Sequence, residues 1–246
     1  MTDAAPRLAV VTGGTAGIGL ATVTALARDG WHVLACSRNP GAAAGMPEGV
    51  QPVACDVADP DSVRALAEVV SRQEIPLGAV VNSAGMALPR APFLESSEEQ
   101  MRQMFEINAF GTMRVLRALL PMMTSGGTVV NLSSTLAARP RPGSALYAAT
   151  KGAVERFSTA LATEVAGKGI RVHVVAPALV RSEIWLRAGM STEDYDDLLA
   201  ARGREFPLGR AGEPEDVADL ICYLVSDKAV WLTGNLIPVD GGAMLR

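Results

Sequence analysis

Tyr147 and Lys151 stand four residues apart. In a helix that spacing puts a phenol and an ammonium on one face, where the cation favours phenolate and draws the phenol pKa down. Ser134, thirteen residues before the tyrosine, adds a hydroxyl that can hold a substrate oxygen beside the phenol. A phenol of lowered pKa next to a hydroxyl donor is a proton-transfer site. The plain alternative is a solvated i,i+4 pair, and only other features in the right order along the chain displace it.

Elements that could position these groups are legible on both sides. An apolar strand over 128–132 ends at Asn131-Leu132-Ser133-Ser134, a Pro- and Gly-rich turn follows, and a helix restarts with Ser144 as its cap. At the start of the chain a strand over 8–11 runs into Thr12-Gly13-Gly14-Thr15-Ala16-Gly17-Ile18-Gly19 and then an amphipathic helix to about 29. Glycines at a strand-to-helix turn let backbone approach a pyrophosphate, whose charge the free N–H groups and positive helix end stabilise.

A second strand, 31–36, ends at Ser37-Arg38-Asn39, near the place where a nicotinamide-binding fold meets the adenosine ribose. An acidic residue there would repel a 2′-phosphate. A hydroxyl and a guanidinium suit it, so Ser37 and Arg38 point to NADP(H) over NAD(H), with a merely solvated Arg38 as the alternative. The 40–49 stretch has little amphipathic pattern, so its crossover helix is short or absent. A third strand, 50–55, delivers Asp56-Val57, where the carboxylate either accepts from an adenine amino group or forms a turn or helix cap. Helix over 61–73 and strand over 79–81 follow, ending in Asn82-Ser83-Ala84-Gly85. Alternating strands and helices predict an α/β fold: one Rossmann-type doubly wound parallel sheet with helices on both faces, forming a single domain over 1–246.

TGGTAGIG, NSAG, Ser134, Tyr147-x-x-x-Lys151 and the late GRAGEPEDVADLICYLVSDKAVWLTGNLIPVDGG together resemble the classical short-chain dehydrogenase/reductase family, from Leu8 to Gly242. The resemblance implies that Tyr147 is the acid or base at the substrate oxygen as hydride moves to or from the nicotinamide. It implies that Lys151 binds the nicotinamide ribose and, with the cationic ring of the oxidised cofactor, lowers the phenol pKa, and that Ser134 rather than Ser133 positions the oxygen. Asn108, in a helix read over 101–120, matches the asparagine that holds a proton-relay water. Gly13, Thr15, Gly17, Ile18, Gly19, Asn82, Ala84, Gly85 and Pro177 match cofactor-binding positions, as do Val180 and Ser182, which would meet the carboxamide. Ala178 stands where the family usually has glycine, which leaves the backbone path there open. The 183–207 stretch matches the variable substrate lid. An apolar wall of Met86, Leu88, Leu136, Leu179, Ile184 and Trp185, with Arg139 or Arg141 near its rim or solvated in the turn, suits a hydrophobic ketone or secondary alcohol. The family's subunit-pairing helices carry Asn108 and Tyr147, so a homotetramer is expected.

Composition excludes other classes. A net charge of -4 argues against a sequence-independent hold on nucleic acid or an anionic membrane. No apolar run approaches the roughly 18 residues of a membrane span, and the first residues lack signal-peptide character, so a cytoplasmic protein is expected. Cys36, Cys55, Cys222, His32 and His173 show no metal-ligand spacing. The reading is an NADP(H)-dependent reductase of ketones or dehydrogenase of secondary alcohols. Its alternatives are an NAD(H)-dependent alcohol dehydrogenase of the same family and a cofactor-sensing binding protein without catalysis.

Overall fold

The computed structural model describes residues 6–43, 46–187 and 189–245. Seven parallel strands form one sheet: β1 (Leu8–Thr12), β2 (His32–Ser37), β3 (Val50–Ala54), β4 (Leu77–Asn82), β5 (Met123–Leu132), β6 (Arg171–Pro177) and β7 (Leu236–Val239), in the order β3-β2-β1-β4-β5-β6-β7. The central strands are apolar without alternation, as burial on both faces demands: β1, β4 and β6 are buried at every residue.

Alternate residues of one strand therefore feed two cores. Leu8 and Val10 of β1 join Val63 and Leu66 of helix α2 (Pro60–Ser71) on one face. Ala9 and Val11 join Val23 and Leu26 of α1 (Gly17–Arg28) on the other. Among the described residues between β2 and β3 the helical element is a short 3-10 turn, Pro40–Ala43, where the weak amphipathic pattern implied a short or absent crossover helix.

The predicted single helix over 101–120 is α3 (Glu98–Phe105), a π-helical turn (Glu106–Phe110) and α4 (Gly111–Leu119), and Asn108 sits in the π turn. A short α5 (Thr135–Ala138) follows β5, and α6 (Ala145–Val165) carries Tyr147 and Lys151. Ser144 does occupy the N-cap position of α6, but its hydroxyl does not cap the helix. It accepts from the Arg141 N–H at 2.9 Å and donates to the Arg141 carbonyl at 2.7 Å, closing the preceding turn instead. The 183–207 stretch holds α7 (Ile184–Arg187) and α8 (Thr192–Glu205), and α9 (Pro214–Val225) packs beside α1.

Strand order reverses between β1 and β4, since β2 lies on one side of β1 and β4 on the other. A crevice therefore opens at the carboxyl ends of these strands, where doubly wound sheets take their ligands.

Candidate active site

The glycine-rich turn leaves β1 at this crevice. Gly13 and Gly17 have φ of 67° and 49°, a region that favours glycine. A β-carbon on Gly13 would lie 2.9 Å from the Ala84 nitrogen, and one on Gly19 would lie 2.1 Å from the Gly13 carbonyl oxygen. The turn is thus packed backbone to backbone against the end of β4. The Ala84 N–H donates to Thr12 Oγ1 at 3.2 Å, which ties β4 to β1 at the same point. Ala16, at the N-cap of α1, supplies no side-chain acceptor, so the helix end keeps its N–H groups for a ligand.

At the end of β2, Arg38 is exposed, and the Ser37 hydroxyl is buried with no partner among the described residues. An orphaned hydroxyl beside an exposed guanidinium suits an incoming acceptor such as a ribose oxygen or phosphate. Asp56 Oδ1 accepts from the Ala58 N–H at 2.9 Å, the turn-forming alternative. Val57 lies in the core, so close to Gly111 that a β-carbon there would be 2.7 Å from Val57 Cγ2. The Asn82 side chain also turns inward, donating to Asn131 Oδ1 at 2.8 Å. Among the positions matched to cofactor binding, the side chains of Val57 and Asn82 thus serve packing.

A cavity of about 550 Å³ continues from this turn into the molecule. Ile18, Gly85, Ser134, Tyr147, Lys151, Pro177, Val180 and Ser182 all line it. They come from the first turn of α1, from the ends of β4, β5 and β6 and the segments just after them, and from α6, so residues up to 164 positions apart, from 18 to 182, line one cavity.

Burial governs the charges. It pushes the Tyr147 phenol up to about 12, against the lowering effect of its hydrogen bond with Ser134. It pulls Lys151 down to about 8. The ammonium donates to the Leu132 carbonyl at 2.9 Å and lies 5.8 Å from the centre of the phenol ring. The sequence expectation that Lys151 acidifies the phenol is therefore not met by the chain alone: proximity is present, but desolvation outweighs it. In the chain alone the phenol is therefore held in its protonated form, and the lysine, with its pKa at about 8, stays charged at neutral pH.

Asn108 is fully buried, and both its Nδ2 protons and its Oδ1 are engaged. Its Oδ1 accepts from the Met86 N–H at 2.8 Å, while Nδ2 donates to the Met86 carbonyl at 3.0 Å and to Thr150 Oγ1 at 3.1 Å. The side chain thus clamps the strand extension after β4 to the residue before Lys151. Ser133 lines the same cavity as Ser134, but its hydroxyl donates to Glu155 Oε1 at 2.8 Å, with the Lys151 carbonyl a longer 3.3 Å away. Sequence reasoning missed Thr12, Thr150 and Glu155 as supports, because none carries a local pattern.

The substrate side departs from the expected wall. Leu136, Leu179 and Ile184 line the cavity, as do Met190, Leu198 and Phe206, whereas Met86 and Leu88 do not; the Trp185 side chain lies outside the description. Arg141 reaches the lining, while Arg139 donates to the Ala243 and Met244 carbonyls at 3.4 and 3.0 Å. Tyr195 of α8 is buried and accepts from the Ser182 N–H at 2.7 Å while reaching the Val180 carbonyl at 3.3 Å. It ties the 183–207 stretch to the segment after β6, a role with no sequence signal. Ala178 donates to the Val239 carbonyl at 3.0 Å, and no non-glycine residue among those described has a positive φ, so this position does not require glycine.

A sheet of this order with a Ser-Tyr-Lys-lined crevice at its switch point defines a dinucleotide-binding oxidoreductase fold. A family model described as enoyl-(acyl carrier protein) reductase matches residues 13–244, and the chain belongs to the short-chain dehydrogenase/reductase family. It is 34% identical over 245 residues to carbonyl reductase family member 4 of Danio rerio, covering 97% of this chain and 98% of that one. The aldohexose dehydrogenase of Thermoplasma acidophilum in ligand-free form is similar with a TM-score of 0.89 and 26% identity, over 98% of this chain and 95% of that one. The 3-ketoacyl-(acyl-carrier-protein) reductase of Brucella melitensis complexed with NADH is similar with a TM-score of 0.85 and 27% identity, over 96% and 97%. Members of the family bind a nicotinamide cofactor, and the close-packed glycine turn, uncapped helix end and orphaned Ser37 hydroxyl of this chain fit one.

Proposed function

We propose that this protein is an NADP(H)-dependent oxidoreductase that reduces a ketone to a secondary alcohol, or runs the reverse, with Tyr147 as the proton donor or acceptor. The observation that carries this reading is the meeting of Ser134, Tyr147 and Lys151 on one cavity wall, with Ile18 of the glycine-rich turn and Ser182 on the same cavity.

The nicotinamide group, when bound, supplies or accepts the hydride. The chain's own residues do the rest. Ser134 Oγ accepts from the Leu136 N–H at 3.2 Å, which fixes the hydroxyl, and its proton, which meets the Tyr147 oxygen in the chain alone, can turn to a substrate oxygen. Tyr147 holds its proton at neutral pH and can give it to that oxygen as negative charge develops there. Lys151, fixed by the Leu132 carbonyl, places a cation where it stabilises the phenolate left behind and can hand on a proton as its own pKa is near 8. Asn108 and Thr150 hold the lysine's helix to the strand end after β4. Leu136, Leu179, Met190 and Phe206 keep water from the reacting carbon, with the 183–207 stretch acting as a lid.

Ser37 and Arg38 favour the 2′-phosphate, hence NADP(H) over NAD(H). The preference is tested separately. Arg38→Asp is expected to lower the NADPH-to-NADH ratio of kcat/KM by about tenfold or more, one charge-assisted contact with a phosphate being replaced by repulsion; an unchanged ratio removes Arg38 from cofactor choice. The function itself is tested by following NADPH absorbance with a panel of ketones and secondary alcohols. Turnover of at least one is expected, and tight NADPH binding with no turnover would favour a sensing protein instead. A cytoplasmic homotetramer completes the proposal.

A further inference from the structure

Three arginines from three separate parts of the chain meet on the cavity that holds Ser134 and Tyr147: Arg90, after β4; Arg141, in the turn before α6; and Arg202, on α8. Their convergence is built. A β-carbon on Gly143 would lie 3.1 Å from the β-carbon of Arg90, so the stem of Arg90 packs on the very turn that carries Arg141. That turn is closed by the two Ser144 contacts with Arg141. Arg202 keeps only 20% of its side-chain surface exposed and pairs with Glu205.

The guanidinium groups feel one another. Burial, then Arg141 and Arg202, hold Arg90 below the usual arginine range. Burial and then Arg202 do the same to Arg141, with Arg139 adding to it and Glu205 opposing. Asp194 also lines the cavity, but its carboxylate accepts from Ser191 Oγ at 2.7 Å at the start of α8. Arg90 and Arg141 line the cavity and keep exposed surface, so an anion entering it would be attracted by all three guanidinium groups. Leu136, Leu179, Ile184 and Leu198 add apolar surface to the same cavity.

We propose that the substrate carries a carboxylate that sits among Arg90, Arg141 and Arg202 while its ketone or hydroxyl meets Ser134 and Tyr147, an apolar body joining the two. This deepens the oxidoreductase reading and rests on it for the ketone end. Planar guanidinium forks match a carboxylate through paired hydrogen bonds, and the apolar walls suit a ring or short chain between the two polar ends. The enzyme would then be an oxo-acid reductase or hydroxy-acid dehydrogenase whose acid group lies remote from the reacting carbon.

The test compares 4-acetylbenzoate, its methyl ester and 4-acetylphenyl phosphate, by calorimetric binding and by NADPH-dependent turnover, in the full chain and in R90A/R141A and R90K/R141K. The acid is expected to bind about tenfold or more tighter than the ester, as loss of charge-assisted pairing implies. In R90A/R141A that preference collapses to within about twofold, and in R90K/R141K part of it returns because charge is kept without the fork. Added salt weakens acid binding and not ester binding. Equal binding of acid and ester to the full chain, binding of neither, or an undiminished preference in R90A/R141A would overturn the proposal. Tighter binding of the phosphate than of the acid would overturn the carboxylate assignment in favour of a phosphoester. Selective binding of the acid without reduction would support the arginine site while counting against the ketone reading.

Discussion

Tyr147 and Lys151 are both driven toward their neutral forms by the same burial, one up to about 12 and the other down to about 8. At neutral pH the phenol is thus a proton donor and the lysine still carries its charge, the states needed to protonate a substrate oxygen. The ammonium costs stability. Between about 8 and its unfolded value near 10.5, the unfolded chain binds more protons at this position than the folded one, so the Lys151 contribution makes stability rise with pH there. Below about 8 both states are charged and the full cost remains. Lys151→Met is therefore expected to raise stability by about 1–2 kcal/mol at pH 7 while abolishing turnover, a trade common at functional sites. Denaturant unfolding checks it, and a loss of stability would mean the bond to the Leu132 carbonyl outweighs desolvation. The Tyr-x-x-x-Lys pair was legible because helical spacing is local. Its pKa balance was not, because desolvation depends on what packs around the pair from distant segments.

Helices and strands set these groups by close backbone approach, and glycine marks where. Gly19 in α1 has no room for a β-carbon, whereas nothing lies within 4 Å of the position a β-carbon would take on Gly152 of α6. Gly152→Ala should accordingly stabilise the protein by about 0.5–1 kcal/mol through helix propensity. Gly19→Ala should destabilise it by about 1–3 kcal/mol as an overpacked site and weaken nicotinamide cofactor binding. Thermal unfolding with and without NADPH separates the two. Equal effects would mean the glycine turn is not packed as described. The strands and most helices were readable from apolar runs and caps. The π turn around Asn108 was not; the amide there pairs with Met86 and Thr150, 22 and 42 residues away, and no local pattern announces such contacts.

At the scale of the molecule, the sheet order brings the ends of β1, β4, β5 and β6 to one crevice, and that much follows from alternating strands and helices. The gathering of Arg90, Arg141 and Arg202 does not, because Arg90 and Arg202 carry no local signal and Arg141 could be placed either at the rim or in a solvated turn. Whole-molecule packing also buries His173 of β6 completely. Burial, then Arg171, lower it to about 4 from 6.5. As pH falls from about 6.5 toward 4 the unfolded chain takes up this proton first, so stability is lost across that window. Replacement by Gln should flatten the loss by about 1–3 kcal/mol, and an unaltered acid profile would assign it to other groups. The proposed homotetramer is tested by light scattering, where a monomer alone would refute it.

The central claim is that the Tyr147 phenol delivers the proton. The most direct measurement is reduction of an accepted ketone by Tyr147→Phe, alongside NADPH titration of the same variant. Binding of NADPH close to that of the unaltered protein, with kcat reduced about a thousandfold or more, is the predicted result. Undiminished turnover by the phenylalanine variant would contradict it.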